Sequence, residues 1–244
     1  MIEKRLQVQT TDGVMETFLA QSGEASASPV IVLYMDAPGI REELYGFARR
    51  IAAEGYCCVL PDLYYRRGRI RLDLEKLTPE EGREMFAHMR SLNNALVLAD
   101  TGSLLEALAK EPLAAEGPMG CIGYCMSGQY VMSVAGSYSE RFRASVSCYG
   151  VGIVTSKPDS PHLLASGVRG EMFFAFAEKD EYVAEDVIPT LKETLDQHAV
   201  KYAIETYPDT QHGFCFPERR GAYNETAAEE VWRQSFELFE RQLK

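Results

Sequence analysis

Short, uninterrupted apolar segments alternate along this chain with amphipathic stretches of helical length, and this alternation restricts the possible folds more than any other feature. Residues 30–35, 119–123 and 172–177 are three such segments. Strands of this kind are typical of a parallel sheet with both faces covered by helices. Ahead of them, the Asp12-Gly13 turn between two strand-like segments predicts an antiparallel hairpin. We therefore expect an α/β fold: a mostly parallel central sheet with an N-terminal antiparallel hairpin and helices on both faces.

No internal repeat, low-complexity tract or linker divides the 244 residues, which predicts a single domain over residues 1–244. The 25 basic and 36 acidic residues give a net charge of −11. A field of that sign repels nucleic acid and anionic membranes, so we expect neither as a partner. The N-terminus lacks the apolar run of a signal peptide, and no segment approaches the ~20 apolar residues of a membrane span. We expect a cytoplasmic protein that is a monomer or a weak homodimer.

The cysteines show no CxxC spacing, although the chain has six of them: Cys57, Cys58, Cys121, Cys125, Cys148 and Cys215. This pattern suits neither a zinc site nor a disulfide framework, and we expect no metal and no organic cofactor. Most of the six lie within apolar runs, where a free cysteine behaves as a small core residue. Cys125 is the exception.

Cys125 follows segment 119–123, where the chain reads Gly123-Tyr124-Cys125-Met126-Ser127-Gly128 and a helical pattern begins at Met126. This is the pattern of a nucleophile elbow, a strand-to-helix turn so tight that the positions two residues before and after the nucleophile must be small. The turn presents the nucleophile at the N-terminus of the helix, where the helix dipole favours a thiolate over a thiol. Cys125 is therefore the candidate nucleophile.

Such a nucleophile needs a base and an acid, which follow it in this kind of fold in the order acid, then base. His212 comes after the apolar segment 202–207 and precedes a glycine, which suits an imidazole in a loop at the end of a strand. The remaining histidines are more simply surface residues: His88, His162 and His198. Asp180, after segment 172–177, is the best candidate for the acid, although Glu178 and Glu181 are close neighbours.

With these motifs in this order, the chain resembles the dienelactone hydrolase family of α/β-hydrolases over nearly its whole length. The matching pieces are Met35-Asp36-Ala37-Pro38-Gly39, Pro61-Asp62-Leu63-Tyr64, Gly123-Tyr124-Cys125-Met126, Asp180 and His212-Gly213-Phe214. The resemblance implies the α/β-hydrolase fold and a catalytic triad of Cys125, His212 and Asp180. It also implies an oxyanion hole formed by the backbone N–H groups of Met126 and Ala37.

The residues that would contact a substrate depart in part from the family pattern. Asp36 stands where the family usually has a glutamate beside the thiol, and Phe216 replaces an arginine expected four residues after the histidine. The nearest basic candidates for that role are Arg219 and Arg220. Arg66 matches a family arginine, so the resemblance implies that it meets a substrate carboxylate. Tyr64 and Tyr149 are expected to line an aromatic pocket.

We therefore expect a hydrolase that cleaves an ester or lactone bond of a small, carboxylate-bearing substrate through a thioester on Cys125. Another carboxylesterase or thioesterase could use the same scaffold, and the altered arginines favour that alternative. A catalytically silent hydrolase fold could instead bind a small molecule, although an intact triad argues against it. A redox role for Cys125 would need a second thiol, for which Cys148 on an adjacent strand is the candidate.

Overall fold

The computed structural model of the protein describes residues 1–23, 26–70, 72, 74 and 76–244. The described chain falls into two units, residues 1–119 and residues 120–244, called here the N-terminal and C-terminal units. The boundary between them lies at the start of a strand. A single domain over residues 1–244 stays a prediction.

The N-terminal unit is built on four strands, the first two of which form the predicted hairpin. The strands lie in the order β1-β2-β4-β3, with the bounds β1 (Ile2–Thr10), β2 (Gly13–Gln21), β3 (Val30–Tyr34) and β4 (Cys57–Pro61). β1 and β2 pair antiparallel, with Thr10 opposite Gly13 at the turn. β2 also pairs antiparallel with β4, whereas β3 and β4 are parallel. Both parallel strands are buried at every residue, as their uninterrupted apolar sequences predict.

Three helices complete the N-terminal unit: α1 (Glu42–Ala53), α2 (Pro79–Arg90) and α3 (Asn94–Leu108). Thr78 and Glu81 form a capping box at the start of α2, in which each side chain accepts a hydrogen bond from the other residue's backbone N–H. The side-chain oxygen of Asn93 accepts a hydrogen bond from the backbone N–H of Leu96 and so begins α3 as a separate helix.

The C-terminal unit contains strands β5 (Met119–Tyr124), β6 (Phe142–Cys148), β7 (Glu171–Lys179) and β8 (Lys201–Gln211), in that spatial order. β6 pairs parallel with β7, and β7 pairs parallel with β8. Its helices are α4 (Gly128–Ser137), α5 (Val187–Gln197) and α6 (Glu225–Leu243). Because parallel strands end at the same edge of a sheet, the segments that follow β7 and β8 lie side by side.

The hairpin, the parallel pairs and the intervening helices confirm the predicted α/β class, but two boundaries differ from the sequence pattern. The apolar run 144–149 continues through Tyr149, yet β6 ends at Cys148, because Tyr149 has a φ of +37° that no strand accommodates. The helical pattern begins at Met126, yet α4 begins at Gly128, because Cys125–Ser127 forms a 3₁₀ turn. Both differences mark irregular backbone at the candidate site.

Aromatic side chains fill part of the core of the C-terminal unit. The ring of Tyr124 lies 5.1 Å from that of Phe216 and 6.4 Å from that of Trp232, measured between centroids. Phe216, which replaces an expected arginine, is completely buried. An arginine at this position would bury its charge, so the substitution fits the packing of this chain. Across the residues that the structure describes, no helix has both the length and the apolar character needed to span a bilayer.

Candidate active site

Cys125 occupies the turn between β5 and α4 in a backbone conformation that few residues other than glycine adopt. Its φ is +55°, in the left-handed region. There the side chain and backbone crowd each other, at a cost on the order of 1–3 kcal/mol. Cys125 is partly exposed, whereas the other five cysteines are buried. A strained backbone beneath an accessible thiol is the geometry of a nucleophile elbow.

The absence of a side chain at Gly123 makes room for this turn. A Cβ there would lie 2.9 Å from the carbonyl oxygen of Ser127 and 2.9 Å from Cγ2 of Val131. It would also lie 3.0 Å from Cβ of Ser127, so a serine fits at position 127 because the facing residue is glycine. Gly128 is equally tight, since its Cβ would lie 2.2 Å from Cα of Gly150. The small residues around Cys125 are therefore a steric requirement of the turn.

His212 and Asp180 come together because of the register between two neighbouring strands. Lys179 at the end of β7 pairs with Gln211 at the end of β8. Asp180 and His212 are the next residues along these strands. Nδ1 of His212 lies 2.8 Å from Oδ2 and 3.0 Å from Oδ1 of Asp180, and both side chains are largely buried. The β7–β8 register thus aligns the imidazole with the carboxylate.

The two glutamates that flank Asp180 in the sequence have other surroundings. The carboxylate of Glu178 accepts a hydrogen bond of 2.9 Å from the backbone N–H of Asp209, a turn residue with a φ of +55°. Glu181 is exposed. Asp180 also accepts a 3.0 Å hydrogen bond from the backbone N–H of Tyr182, which helps to hold its carboxylate in place. Of the three candidate acids, Asp180 is the one hydrogen-bonded to His212.

The opposite side of the imidazole is turned away from Asp180. Nε2 of His212 is buried and has no partner at hydrogen-bond geometry among the described residues. Burial of the ring opposes its positive charge, but the hydrogen bond to Asp180 and the nearby thiol of Cys125 outweigh it and raise the pKa of His212 to about 9. The rings of Tyr149 and Tyr182 lie edge-on to the imidazole, with centroids 5.0 and 4.8 Å away. The two rings and Asp180 thereby hold the imidazole in one orientation, in which Nδ1 contacts Asp180 and Nε2 faces away from it.

Asp36 in the N-terminal unit forms an ion pair that the sequence did not reveal. Nη1 of Arg41 lies 2.5 Å from Oδ1 of Asp36, and Nη2 lies 3.2 Å from Oδ2. The carboxylate is completely buried, and the guanidinium also donates a 3.1 Å hydrogen bond to Glu43. The chain can fold back over so few residues because Gly39 has a φ of +80° and its N–H donates to the carbonyl oxygen of Asp36. A buried carboxylate therefore has a bidentate arginine partner.

Arg66, the expected substrate arginine, is held by two carboxylates of the N-terminal unit. Nη1 and Nη2 lie 2.7 Å from the two oxygens of Asp100, and Nε lies 2.7 Å from Oδ2 of Asp12. Hydrogen bonding to Asp100 raises the pKa of Arg66 above its usual range. Asp100 is 1% exposed and also accepts a hydrogen bond from the hydroxyl of Tyr65. Contact between Arg66 and a substrate carboxylate stays a prediction. The sequence did not indicate that Arg66 is the partner of the buried carboxylate of Asp100.

The remaining predicted site residues are mostly buried. The hydroxyl of Tyr64 donates a 2.8 Å hydrogen bond to the carbonyl oxygen of Ala37, which braces the loop after β3. Tyr149 is completely buried and packs against His212, so its observed contact is with the candidate base. Met126 follows Cys125 in the 3₁₀ turn, whereas Ala37 belongs to the N-terminal unit. Their roles in an oxyanion hole, and contact of the tyrosines with substrate, stay predictions.

No group of three or more histidine, cysteine, aspartate or glutamate side chains in the described part of the chain is arranged to hold a metal ion. The structure does add two side chains to the surroundings of His212 that the sequence did not single out together, Tyr182 and Arg219. Both line a pocket that also contains His212. Arg219 was one of two equal candidates in the sequence, and nothing there marked Tyr182.

Comparisons of the chain with a family model and with individual proteins agree on one family. The model of the dienelactone hydrolase family matches residues 15–243. A Synechocystis protein provisionally named carboxymethylenebutenolidase is 25% identical over 231 residues, which cover 93% of this chain and 92% of that protein. A Salmonella typhi protein with the same provisional name is 26% identical over 224 residues, covering 87% of this chain and 77% of its own.

Solved structures show the same fold over the full length. A crystal structure from Klebsiella pneumoniae, provisionally named dienelactone hydrolase, superposes with a TM-score of 0.86 at 21% identity, covering 98% of both chains. An acylaminoacyl peptidase superposes with a TM-score of 0.72 at 17% identity, and covers 99% of this chain and 42% of its own. These similarities confirm the predicted α/β-hydrolase fold.

Proposed function

The chain belongs to the dienelactone hydrolase family, and from this premise we propose that it hydrolyses an ester or lactone bond of a small substrate with Cys125 as the nucleophile. One juxtaposition carries the proposal: a strained, partly exposed thiol that interacts with an imidazole, which is itself hydrogen-bonded to Asp180. Nucleophile, base and orienting acid are the three parts that acyl transfer requires.

The first half of the reaction forms a thioester. The proton of the Cys125 thiol passes to Nε2 of His212, and Sγ attacks the carbonyl carbon of the substrate. As the carbon–sulfur bond forms, the carbonyl oxygen becomes an oxyanion, for which the backbone N–H groups of Met126 and Ala37 are the proposed donors. The carbon–oxygen bond to the leaving group then breaks, and Nε2 of His212 gives its proton to the departing oxygen.

The second half returns the free enzyme. Nε2 of His212, now neutral, takes a proton from water, and the resulting hydroxide attacks the thioester carbon. The carbon–sulfur bond breaks, the acid product leaves, and the proton on His212 returns to Sγ of Cys125. Asp180 stays ionised throughout, because its task is to hold Nδ1–H and to stabilise the imidazolium. The pKa of about 9 supports this assignment, since a strongly basic His212 can hold the proton within each half, until it passes to the leaving oxygen or back to Sγ.

Another carboxylesterase or thioesterase activity is the second candidate, and the ion pairs of the N-terminal unit favour it. Asp36 is paired with Arg41, and Arg66 is paired with Asp100 and Asp12. Arg66, expected to meet a substrate carboxylate, and Asp36, expected beside the thiol, thus already have charged partners. A preference for carboxylate-bearing substrates would require one of these pairs to open.

Hydrolysis of a lactone, an aryl ester and a thioester by the wild-type protein, Cys125→Ala and Cys121→Ala tests the proposal. Cys121 is a matched control, because it is a buried thiol whose Sγ donates to Oγ of Ser145. Loss of all three activities in Cys125→Ala alone, with both variants folded by circular dichroism, is the expected result. Wild-type turnover in Cys125→Ala would refute the nucleophile, whereas a wild type that hydrolyses none of the three substrates would favour a binding role for the fold. The ranking of the three substrates separates the two candidate activities.

A further inference from the structure

Residues 149–152, called here the β6 loop, follow β6 and turn the chain sharply out of the sheet. Tyr149 begins the loop with a φ of +37°, while its N–H still donates 2.6 Å to the carbonyl oxygen of Ala175 on β7. Gly152 ends the loop with a φ of +72°. Two left-handed residues so close together cannot continue the straight path of a strand. The β6 loop therefore departs from the line of β6 as soon as the strand ends.

Two glycines allow the β6 loop to touch the start of α4. A Cβ on Gly150 would lie 2.8 Å from Cα of Gly128, and a Cβ on Gly128 would lie closer still to Cα of Gly150. Two backbones approach each other so closely only where neither residue has a side chain. The β6 loop is thus in direct contact with the backbone of the elbow.

This contact places a hydrogen bond on the peptide group that joins Cys125 to Met126. The backbone N–H of Val151 donates 2.9 Å to the carbonyl oxygen of Cys125, and the N–H of Gly128 donates to the same oxygen from within the 3₁₀ turn. In a trans peptide, the C=O of one residue and the N–H of the next lie in one plane and point in opposite directions. The bond from Val151 therefore fixes the plane that contains the N–H of Met126 and directs that N–H away from the β6 loop.

Gln129 holds the peptide group on the other side of Met126. Its Nε2 donates 3.1 Å to the carbonyl oxygen of Met126. The amide of Gln129 lies against Gly152, where a Cβ would be 3.3 Å from Nε2 and 3.4 Å from Cδ. Both peptide groups that flank the α-carbon of Met126 are therefore held, and the β6 loop contacts what holds each of them.

We infer that Val151 and Gln129 are positioning residues for the backbone N–H of Met126, and that the β6 loop is the backing of the proposed oxyanion hole. A donor stabilises an oxyanion most when its direction is set before the charge develops, because no reorganisation is then needed during the reaction. A hydrogen bond to the carbonyl oxygen of a peptide group also polarises that group and strengthens its N–H as a donor. The inference rests on the proposed function, because Met126 has this task only if Cys125 attacks a carbonyl carbon.

Removal of single hydrogen-bond donors tests both residues. Cell-free synthesis with 2-hydroxy-3-methylbutanoic acid at position 151 replaces the N–H of Val151 with an ester oxygen and keeps the side chain. The same replacement at Val200 is the matched control, because the N–H of Val200 donates 3.0 Å to the carbonyl oxygen of Leu195 in another loop. Gln129→Met removes the second donor at a similar side-chain length, and Gln197→Met, at an exposed position of α5, is its control.

Two reactions of Cys125 separate positioning from a purely structural role. Acylation by 4-nitrophenyl acetate forms an oxyanion, whereas alkylation by iodoacetamide displaces iodide from a saturated carbon and forms none. Burst kinetics measure the acylation rate, and mass spectrometry of the labelled protein measures alkylation. The ester at Val151 and Gln129→Met should each slow acylation about tenfold or more, less than the roughly 10²–10³-fold effect of losing an oxyanion donor outright. KM and the rate of alkylation should stay unchanged, and both controls should acylate like the wild type.

An acylation rate at the wild-type value in either variant would overturn the role of that residue. Equal losses of acylation and alkylation, or an equal loss of acylation in the matched control, would show that the bond maintains the fold and would also overturn the inference. A wild type that is alkylated at Cys125 but forms no acetyl-enzyme would instead overturn the proposed function.

Discussion

Nδ1 of His212 lies 2.8 Å from Oδ2 of Asp180, and the register of β7 against β8 places the two residues side by side. Neither side chain is more than 9% exposed, so the hydrogen bond operates with little competition from water. The thiol of Cys125 also interacts with the imidazole, and its residue has a left-handed backbone conformation that costs stability. The proposed attack by Cys125 depends on this arrangement.

Replacing Asp180 with asparagine should lower the pKa of His212 from about 9 and reduce turnover roughly 100-fold or more. The carboxylate favours the imidazolium, so its loss favours the neutral ring, and the amide also permits the wrong tautomer. A pH titration of the His212 ring by NMR, together with steady-state rates, measures both effects. Glu178→Gln is the control, because the carboxylate of Glu178 accepts a hydrogen bond from the backbone N–H of Asp209 in the neighbouring turn. A larger loss of turnover in Glu178→Gln than in Asp180→Asn would reassign the acid.

Stability should depend on pH through His212. Its pKa is about 9 in the folded protein and close to the ordinary 6.5 when unfolded, so the folded state holds the proton more tightly. The stabilisation is therefore complete below about pH 6.5 and is lost as the pH rises through about 9, with an upper limit of about 3 kcal/mol. Free energies of unfolding at pH 6 and pH 10, compared between wild type and His212→Gln, isolate this contribution. Equal pH dependence in the two proteins would show that His212 does not have the raised pKa.

Gly123→Ala should destabilise the protein by about 1–3 kcal/mol and impair turnover, because the added methyl group would displace Ser127 and Val131 from the elbow. Gly46→Ala is the opposite case. Gly46 lies within α1, and a Cβ there would meet nothing within 4 Å. That variant should be more stable by about 0.5–1 kcal/mol, since alanine is the better helix former. Denaturant unfolding of both variants measures the difference, and a harmless Gly123→Ala would contradict the steric explanation of the turn.

Arg66→Ala should destabilise the N-terminal unit by roughly 3 kcal/mol, because it leaves the buried carboxylate of Asp100 without its guanidinium. Asp12→Asn removes the other, more exposed partner of Arg66 and should cost less than about 1 kcal/mol. Kinetics on matched anionic and neutral esters then separate structure from recognition. A purely structural Arg66 predicts equal losses for both esters, whereas a selective rise in KM for the anionic ester would restore its predicted role with substrate.

Short sequence patterns predicted those features of the candidate site that depend on residues close together in the chain. The elbow at Cys125 follows from a glycine, a small residue and a strand-to-helix transition within a few positions, and His212 and Asp180 each follow a predicted strand. Partners that depend on chain folding over long distances were missed, as Asp100 shows: it meets Arg66 across 34 positions and sits within an apolar helical pattern. Arg41 was missed although it is only five residues from Asp36, because the pairing depends on the left-handed turn at Gly39.

Trapping the covalent intermediate tests the central claim most directly. The wild-type protein is mixed with excess 4-nitrophenyl acetate, quenched in acid within the first turnover, and examined by intact-protein mass spectrometry and peptide mapping. One acetyl group is expected, on Cys125. In His212→Gln a high substrate concentration drives acylation, and the acetyl group should then accumulate because the attack of water is slow. Turnover without any acylated cysteine, or an acetyl group that maps to another residue and disappears on mutation of that residue, would contradict Cys125 as the nucleophile.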